Sequence, residues 1–204
     1  MRMVKILALS LVVLAAVAAP ALAAGETSNT VRGGLVYTWL NGTQNFSYFG
    51  QNVEFTSDPG WGGYLAYEYR FSKLMGVEVS TGYSSFDAGF NAPKNAKSTD
   101  IVFTQQKYSM TPIAFALNFH VFGRSYVDLY LGPVVGYYFM SRALDDAVGY
   151  GAQIGADWNV SDKGLAINTS ISYIALSPDT NVNGINGGYN INPLSLQAGI
   201  AYRW

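Results

Sequence analysis

Eight stretches of the chain alternate apolar and polar side chains with a period of two: residues 30–40, 61–71, 74–84, 108–121, 126–139, 149–160, 165–176 and 193–204. Each is close to the roughly 9 to 11 residues that a tilted strand needs to cross a bilayer. In the second stretch, Trp61, Leu65, Tyr67, Tyr69 and Phe71 share one face while Tyr64, Ala66, Glu68 and Arg70 share the other. Beyond residue 23, no window approaches the roughly 20 apolar residues of a membrane helix. Strands in lipid must have every backbone N–H and C=O paired, which requires closure. The pattern predicts an all-β fold, an eight-stranded antiparallel transmembrane up-and-down barrel.

The N-terminal segment reads differently. Arg2 and Lys5 precede an apolar run, and Ala21-Leu22-Ala23 supplies the small residues of a cleavage site, so residues 1–23 are expected to be a cleaved signal peptide and 24–204 the barrel. Removing Arg2 and Lys5 leaves 10 basic residues against 13 acidic ones. That balance argues against a nucleic-acid partner, which calls for clustered basic residues. Cysteine is absent, so neither a disulfide framework nor a thiol nucleophile exists.

The connections alternate between long and short. Loops 41–60, 85–107, 140–148 and 177–192 are long, whereas 72–73, 122–125 and 161–164 are tight. Long external loops and short periplasmic turns predict a bacterial outer-membrane barrel with both termini periplasmic. NGTQNFSYFG and DTNVNGINGGYN, within the first and last long loops, read as turns from their Asn and Gly content. Outward aromatics at strand ends are expected at headgroup level: Phe71, Phe119, Trp158, Tyr202 and Trp204 on the periplasmic side, and Trp39, Trp61, Tyr83, Tyr137, Phe139, Tyr150 and Tyr173 on the outer side.

Threading the strands up and down collects the inward ionisable groups toward the periplasmic end. Arg32, Glu68, Arg70, Glu78, His120, Asp128, Asp157 and Arg203 are predicted to pair as a plug of the narrow lumen. Above them the inward residues are small, apolar or phenolic. Val36, Leu40, Tyr64, Val134, Tyr138 and Ile174 are expected to line an outward-open pocket for an acyl chain or small hydrophobe. Pro112 lacks a ladder donor and marks the expected site of a bulge or lateral break.

The C-terminal third resembles the OmpW family of small outer-membrane barrels. GLAINTSISYIALSPDT is similar to its penultimate strand and INPLSLQAGIAYRW to its closing strand, with Asn192, Pro193, Gly199, Tyr202, Arg203 and Trp204 at the matching positions. The resemblance implies an eight-stranded barrel, recognition of the last strand, ending in Trp204, by the barrel-insertion machinery, and a role in admitting small hydrophobic molecules.

Two functions are therefore expected to compete. One is a barrel that binds or admits small hydrophobic or amphipathic molecules through the lumen pocket. The other is a structural or adhesive barrel with a solid interior, whose loops meet lipopolysaccharide or other surfaces. Catalysis is not expected, because the only histidine, His120, falls beside a periplasmic turn and no other imidazole could serve as a general base. No cofactor and no metal site are expected, since Asp87, Asp100, Asp145, Asp146 and Asp179 lack calcium-loop spacing. The remaining expected partners are outer-membrane lipid and lipopolysaccharide.

Overall fold

A computed structural model of the chain describes residues 27–41, 44–48, 51–91, 106–121, 126–141, 144–182, 185–188 and 190–204. The expected signal peptide and the centre of loop 85–107 lie outside the described residues. Twelve strands occur among them. In chain order they are β1 (Ser28–Asn41), β2 (Gln44–Tyr48), β3 (Gln51–Ser57), β4 (Gly60–Arg70), β5 (Met75–Asn91) and β6 (Gln106–His120). The second half holds β7 (Val127–Met140), β8 (Ala147–Asn159), β9 (Leu165–Leu176), β10 (Asp179–Val182), β11 (Ile185–Gly188) and β12 (Asn192–Arg203).

Eight of these close a ring in the order β1, β12, β9, β8, β7, β6, β5, β4, with antiparallel neighbours throughout. The first and last strands seal it over a ladder from Thr30↔Arg203 to Asn41↔Asn192. Trp204 lies just past β12, and its backbone still exchanges hydrogen bonds with Asn29 at 2.9 and 3.0 Å. Closure removes the unpaired edges that an open sheet would present to lipid.

The period-two pattern sorts side chains as the sequence implies. Leu35, Leu65, Ile154 and Ile200 are 57–65% exposed on the outer surface, whereas Arg32, Glu68, Asp128 and Asp157 are at most 1% exposed inside. In water this would be an inverted protein; against hydrocarbon it is the stable arrangement. Most of the expected girdle residues face outward, with Phe119, Trp158, Tyr202 and Trp204 exposed at one end and Trp61, Tyr83, Phe139, Tyr150 and Tyr173 at the other. Phe71 departs from the expectation. Strand β4 ends at Arg70, so alternation no longer holds the Phe71 ring outward, and it is buried.

The ladder continues past the barrel. Residues 41–60 contain β2 and β3, which pair as a continuation of the β1/β4 hairpin; the register moves from Thr38↔Gly60 to Gln44↔Phe55, one residue out of step, as at a bulge. Strand β3 also pairs with the upper part of β5. On the far side of the β1/β12 seam, β10 and β11 extend β9 and β12 in unbroken register through Tyr173↔Leu194, Leu176↔Ile191 and Asp179↔Gly188. Asn- and Gly-rich sequences expected as turns are thus partly strand, because a neighbouring strand already in place offers partners that local propensity does not anticipate.

Pro112 interrupts one ladder without shifting it. Pairing between β5 and β6 stops at Thr81↔Ile113 and resumes at Ser84↔Met110 in the same register, so no bulge forms, and the Thr81 hydroxyl donates to the Pro112 carbonyl at 2.8 Å. On the other side of the strand Pro112 pairs normally with Tyr138.

Replacing Ile154, at mid-height on the exposed face, with Arg is expected to destabilise the barrel by about 2–4 kcal/mol in lipid vesicles, read by urea unfolding; an unchanged midpoint would contradict the lipid-facing assignment. Gly155→Val is expected to cost about 1–3 kcal/mol by overpacking, because an added Cβ would run into the ring of Tyr130 and the side chain of Ser170.

Candidate functional site

Two pairs of neighbouring strands, β4/β5 and β7/β8, place like charges directly opposite each other inside the barrel: Glu68 faces Glu78, and Asp128 faces Asp157. Such pairs repel unless a cation spans them. Arg32 spans the first. Its Nη2 lies 2.6 Å from Glu68 and its Nη1 lies 2.9 Å from Glu78, while Nη2 also reaches Asp157 at 2.7 Å. Arg203 spans the second, 2.7 Å from Asp128 and 3.3 Å from Asp157. Arg70 pairs with Asp128 and approaches Glu68 at 3.7 Å. His120 sits between the two groups, with Nε2 2.6 Å from Glu68 and Nδ1 3.0 Å from Asp128. All eight ionisable residues expected near the periplasmic end are thus brought into one connected cluster.

The cluster reaches further than charge alone indicated. The guanidinium of Arg32 lies 4.6 Å from the ring centroid of Tyr130. Asn168 donates to Asp157 at 2.7 Å and to the Tyr130 hydroxyl at 3.0 Å, and accepts from the Tyr64 hydroxyl at 2.8 Å. Gln153 donates to Glu78 at 3.2 Å and to Asn118 at 2.9 Å, and Asn118 donates to Glu78 at 3.3 Å. Asn118, Tyr130, Gln153 and Asn168 were not singled out from the sequence, although each occupies an inward position of its strand. Polarity at an inward position was the signal that could have found them.

Above this network the expected hydrophobic pocket does not exist. Val36, Val134, Tyr138 and Ile174 are buried, and Leu40 packs against a cluster that includes Phe86, Tyr108, Met110, Leu144, Leu176 and Ile191. Tyr64 belongs to the polar network instead of an apolar wall. The space left among Val36, Tyr64, Val134, Tyr138 and Ile174 is about 70 Å³, far below the roughly 300–1,000 Å³ of ordinary ligand sites. Small inward residues do not leave voids, because larger neighbours lean over them. A Cβ on Gly149 would come within 2.7 Å of Ile174 and 2.8 Å of Tyr138. The reading of a lumen that binds or admits hydrophobic molecules is therefore corrected: the interior is filled by a buried ionic and hydrogen-bonded network below and by packed side chains above.

Pro112 borders this small residual space, and the ladder beside it resumes in register. The imidazole that acid–base chemistry would require is held between two carboxylates and beside Arg70. Among the described residues no group of His, Cys, Asp and Glu is arranged to hold a metal ion.

No curated protein sequence matches the chain. Among solved structures, the fold is similar to the outer membrane protein OprG from Pseudomonas aeruginosa, with a TM-score of 0.70 and 15% identity over 88% of this chain and 97% of that one. It is also similar to the outer membrane protein AlkL in lipid bilayers, with a TM-score of 0.60 and 14% identity over 88% and 91% of the two chains. Neisserial surface protein A gives a TM-score of 0.55 and 14% identity over 87% and 97%. At these identities the likeness establishes the fold alone: eight antiparallel strands closed into a transmembrane barrel. The model of the family described as outer membrane protein beta-barrel domain matches residues 9–203, and the chain belongs to that family.

Proposed function

We propose that this chain is a structural or adhesive outer-membrane barrel, with a solid interior and a surface-binding activity carried by its external hairpins. The observation that carries the reading is the filled lumen, whose residual space of about 70 Å³ is far below that of ordinary ligand sites, beneath two hairpins that continue the ladder beyond the barrel. The ionic cluster acts as the plug. Its charges are desolvated and mutually bridged, and breaking one buried pair by removing a partner costs roughly 3–5 kcal/mol, so a transient path through it is energetically remote.

In this reading residues 1–23 are removed on export, and both termini, with the 72–73, 122–125 and 161–164 turns, face the periplasm. The hairpins within 41–60 and 177–192 then project outward with loops 85–107 and 140–148 and contact lipopolysaccharide or other cell-surface material. The closing strand, followed by Trp204, is the segment read by the barrel-insertion machinery. Asn192, Pro193, Gly199, Tyr202, Arg203 and Trp204 support an OmpW-like placement within the broader family.

Planar-bilayer recordings of the purified protein are expected to show no steady conductance, and vesicles carrying it are expected to take up a fluorescent fatty acid no faster than empty ones. Replacing residues 44–57, or 179–188, with short turns is expected to leave the barrel folded, as judged by its shift on unheated gels, and to abolish retention on immobilised lipopolysaccharide or cell-surface matrix. Steady conductance, or binding that survives both replacements, would overturn the proposal.

A further inference from the structure

The buried network holds three guanidiniums, those of Arg32, Arg70 and Arg203, against the four carboxylates of Glu68, Glu78, Asp128 and Asp157. All seven lie inside the lower barrel, and only Arg203 keeps appreciable exposure. A surplus negative charge in such a place is strongly unfavourable. One proton bound somewhere in the cluster would remove it.

The hydrogen-bond pattern indicates where. Glu78 faces only donors: Arg32 at 2.9 Å, Asn118 at 3.3 Å and Gln153 at 3.2 Å. Asp157 likewise accepts from Arg32, Asn168 and Arg203. Asp128 accepts from Arg70 and Arg203, and Glu68 faces Arg32 at 2.6 Å. Glu78, Asp157 and Asp128 are thus placed as acceptors, the role of the ionised form, whereas Glu68 Oε2, although beside Arg32, completes no hydrogen bond. His120, 3% exposed, presents both ring nitrogens to carboxylate oxygens, Nε2 to Glu68 at 2.6 Å and Nδ1 to Asp128 at 3.0 Å. A neutral ring protonated at Nε2 could accept from Arg70 at Nδ1, 2.6 Å away, but would leave the cluster one negative charge in excess; an imidazolium donates to both carboxylates and removes that excess.

We propose that His120 is a doubly protonated imidazolium, the fourth cation of the lumen network, and that closure of the lower barrel depends on its proton. The groups facing it are Glu68 and Arg70 from β4 and Asp128 and Tyr130 from β7, the Tyr130 ring centroid lying 5.8 Å away. Arg70 Nη2 approaches Nδ1 at 2.6 Å, and Asp128 lies against both cations, offsetting their repulsion. Arg32 from β1 and Arg203 from β12 reach the same carboxylates from the other side of the lumen, beside Glu78 and Asp157. Proton linkage sets the sign: a folded state that binds this proton loses stability as pH rises. The inference rests on the lumen network alone and is independent of what the external hairpins bind.

Nitrogen NMR of selectively labelled His120 in detergent micelles tests the protonation directly. Near pH 7, where a free imidazole is mostly neutral, both Nδ1 and Nε2 are expected to carry protons; a neutral tautomer would overturn the proposal. Unfolding in urea tests the dependence. His120→Gln is expected to lower the folding equilibrium constant by about a hundredfold or more and to flatten the loss of stability that the unsubstituted barrel undergoes as pH is raised. Adding Glu78→Gln removes one carboxylate and restores neutrality, so the double variant is expected to regain most of the lost stability. A double variant as weak as His120→Gln alone would show that packing, not charge balance, is what His120 supplies.

Discussion

Hydrocarbon offers no partner to a peptide group, and that single fact sets the plan of this molecule. Every strand in the membrane must spend its N–H and C=O groups on neighbours at both sides, so the sheet must close. Closure with eight strands then fixes the interior as a narrow column in which side chains nearly touch across the axis. The outer face is released from any need for polarity, and Leu35, Leu65, Ile154 and Ile200 stand on it exposed. The inner face is left to decide what the barrel does.

What it does is fill itself. Opposed pairs of like charges on neighbouring strands would splay the sheet if left alone, and Arg32 and Arg203 convert each into an attraction. Higher up, glycines on one strand accept the bulk of large residues on the next, as Gly149 accepts Tyr138 and Ile174. The two halves are different chemistry serving one end, a lumen without a path.

This distinction marks the limit of what the sequence discloses. Alternation places a side chain inside or outside, and it located the 165–176 strand to the residue and set the eight ionisable members of the cluster on inward faces. It says nothing of how far a side chain reaches once inside. Parity alone therefore groups Tyr64 with the pocket residues although its hydroxyl bonds to Asn168, and it does not show that larger neighbours occupy the space above small inward residues such as Gly149. The hairpin extensions were illegible for a related reason. QNFSY and INGG have little strand preference of their own and form strands because the ladder below them continues upward. Phe71 shows the converse, a residue whose parity is correct but whose strand has already ended.

The network also explains why the barrel adopts one register. Arg32 on β1, Glu68 and Arg70 on β4, Glu78 on β5, His120 on β6, Asp128 on β7, Asp157 on β8 and Arg203 on β12 are joined by Asn168 on β9, so every strand of the ring contributes a member. Sliding any charged strand by one residue would turn its ionised groups into lipid and strand their partners unpaired inside. A two-residue slip would keep parity but move the charge out of reach of carboxylates now held within about 3 Å. Buried ion pairs are poor sources of net stability, since desolvation consumes most of their attraction. Here their value lies in the cost of every alternative: with lipid outside indifferent to which apolar residue faces it, the interior charges are what distinguish the native pairing from its neighbours in register.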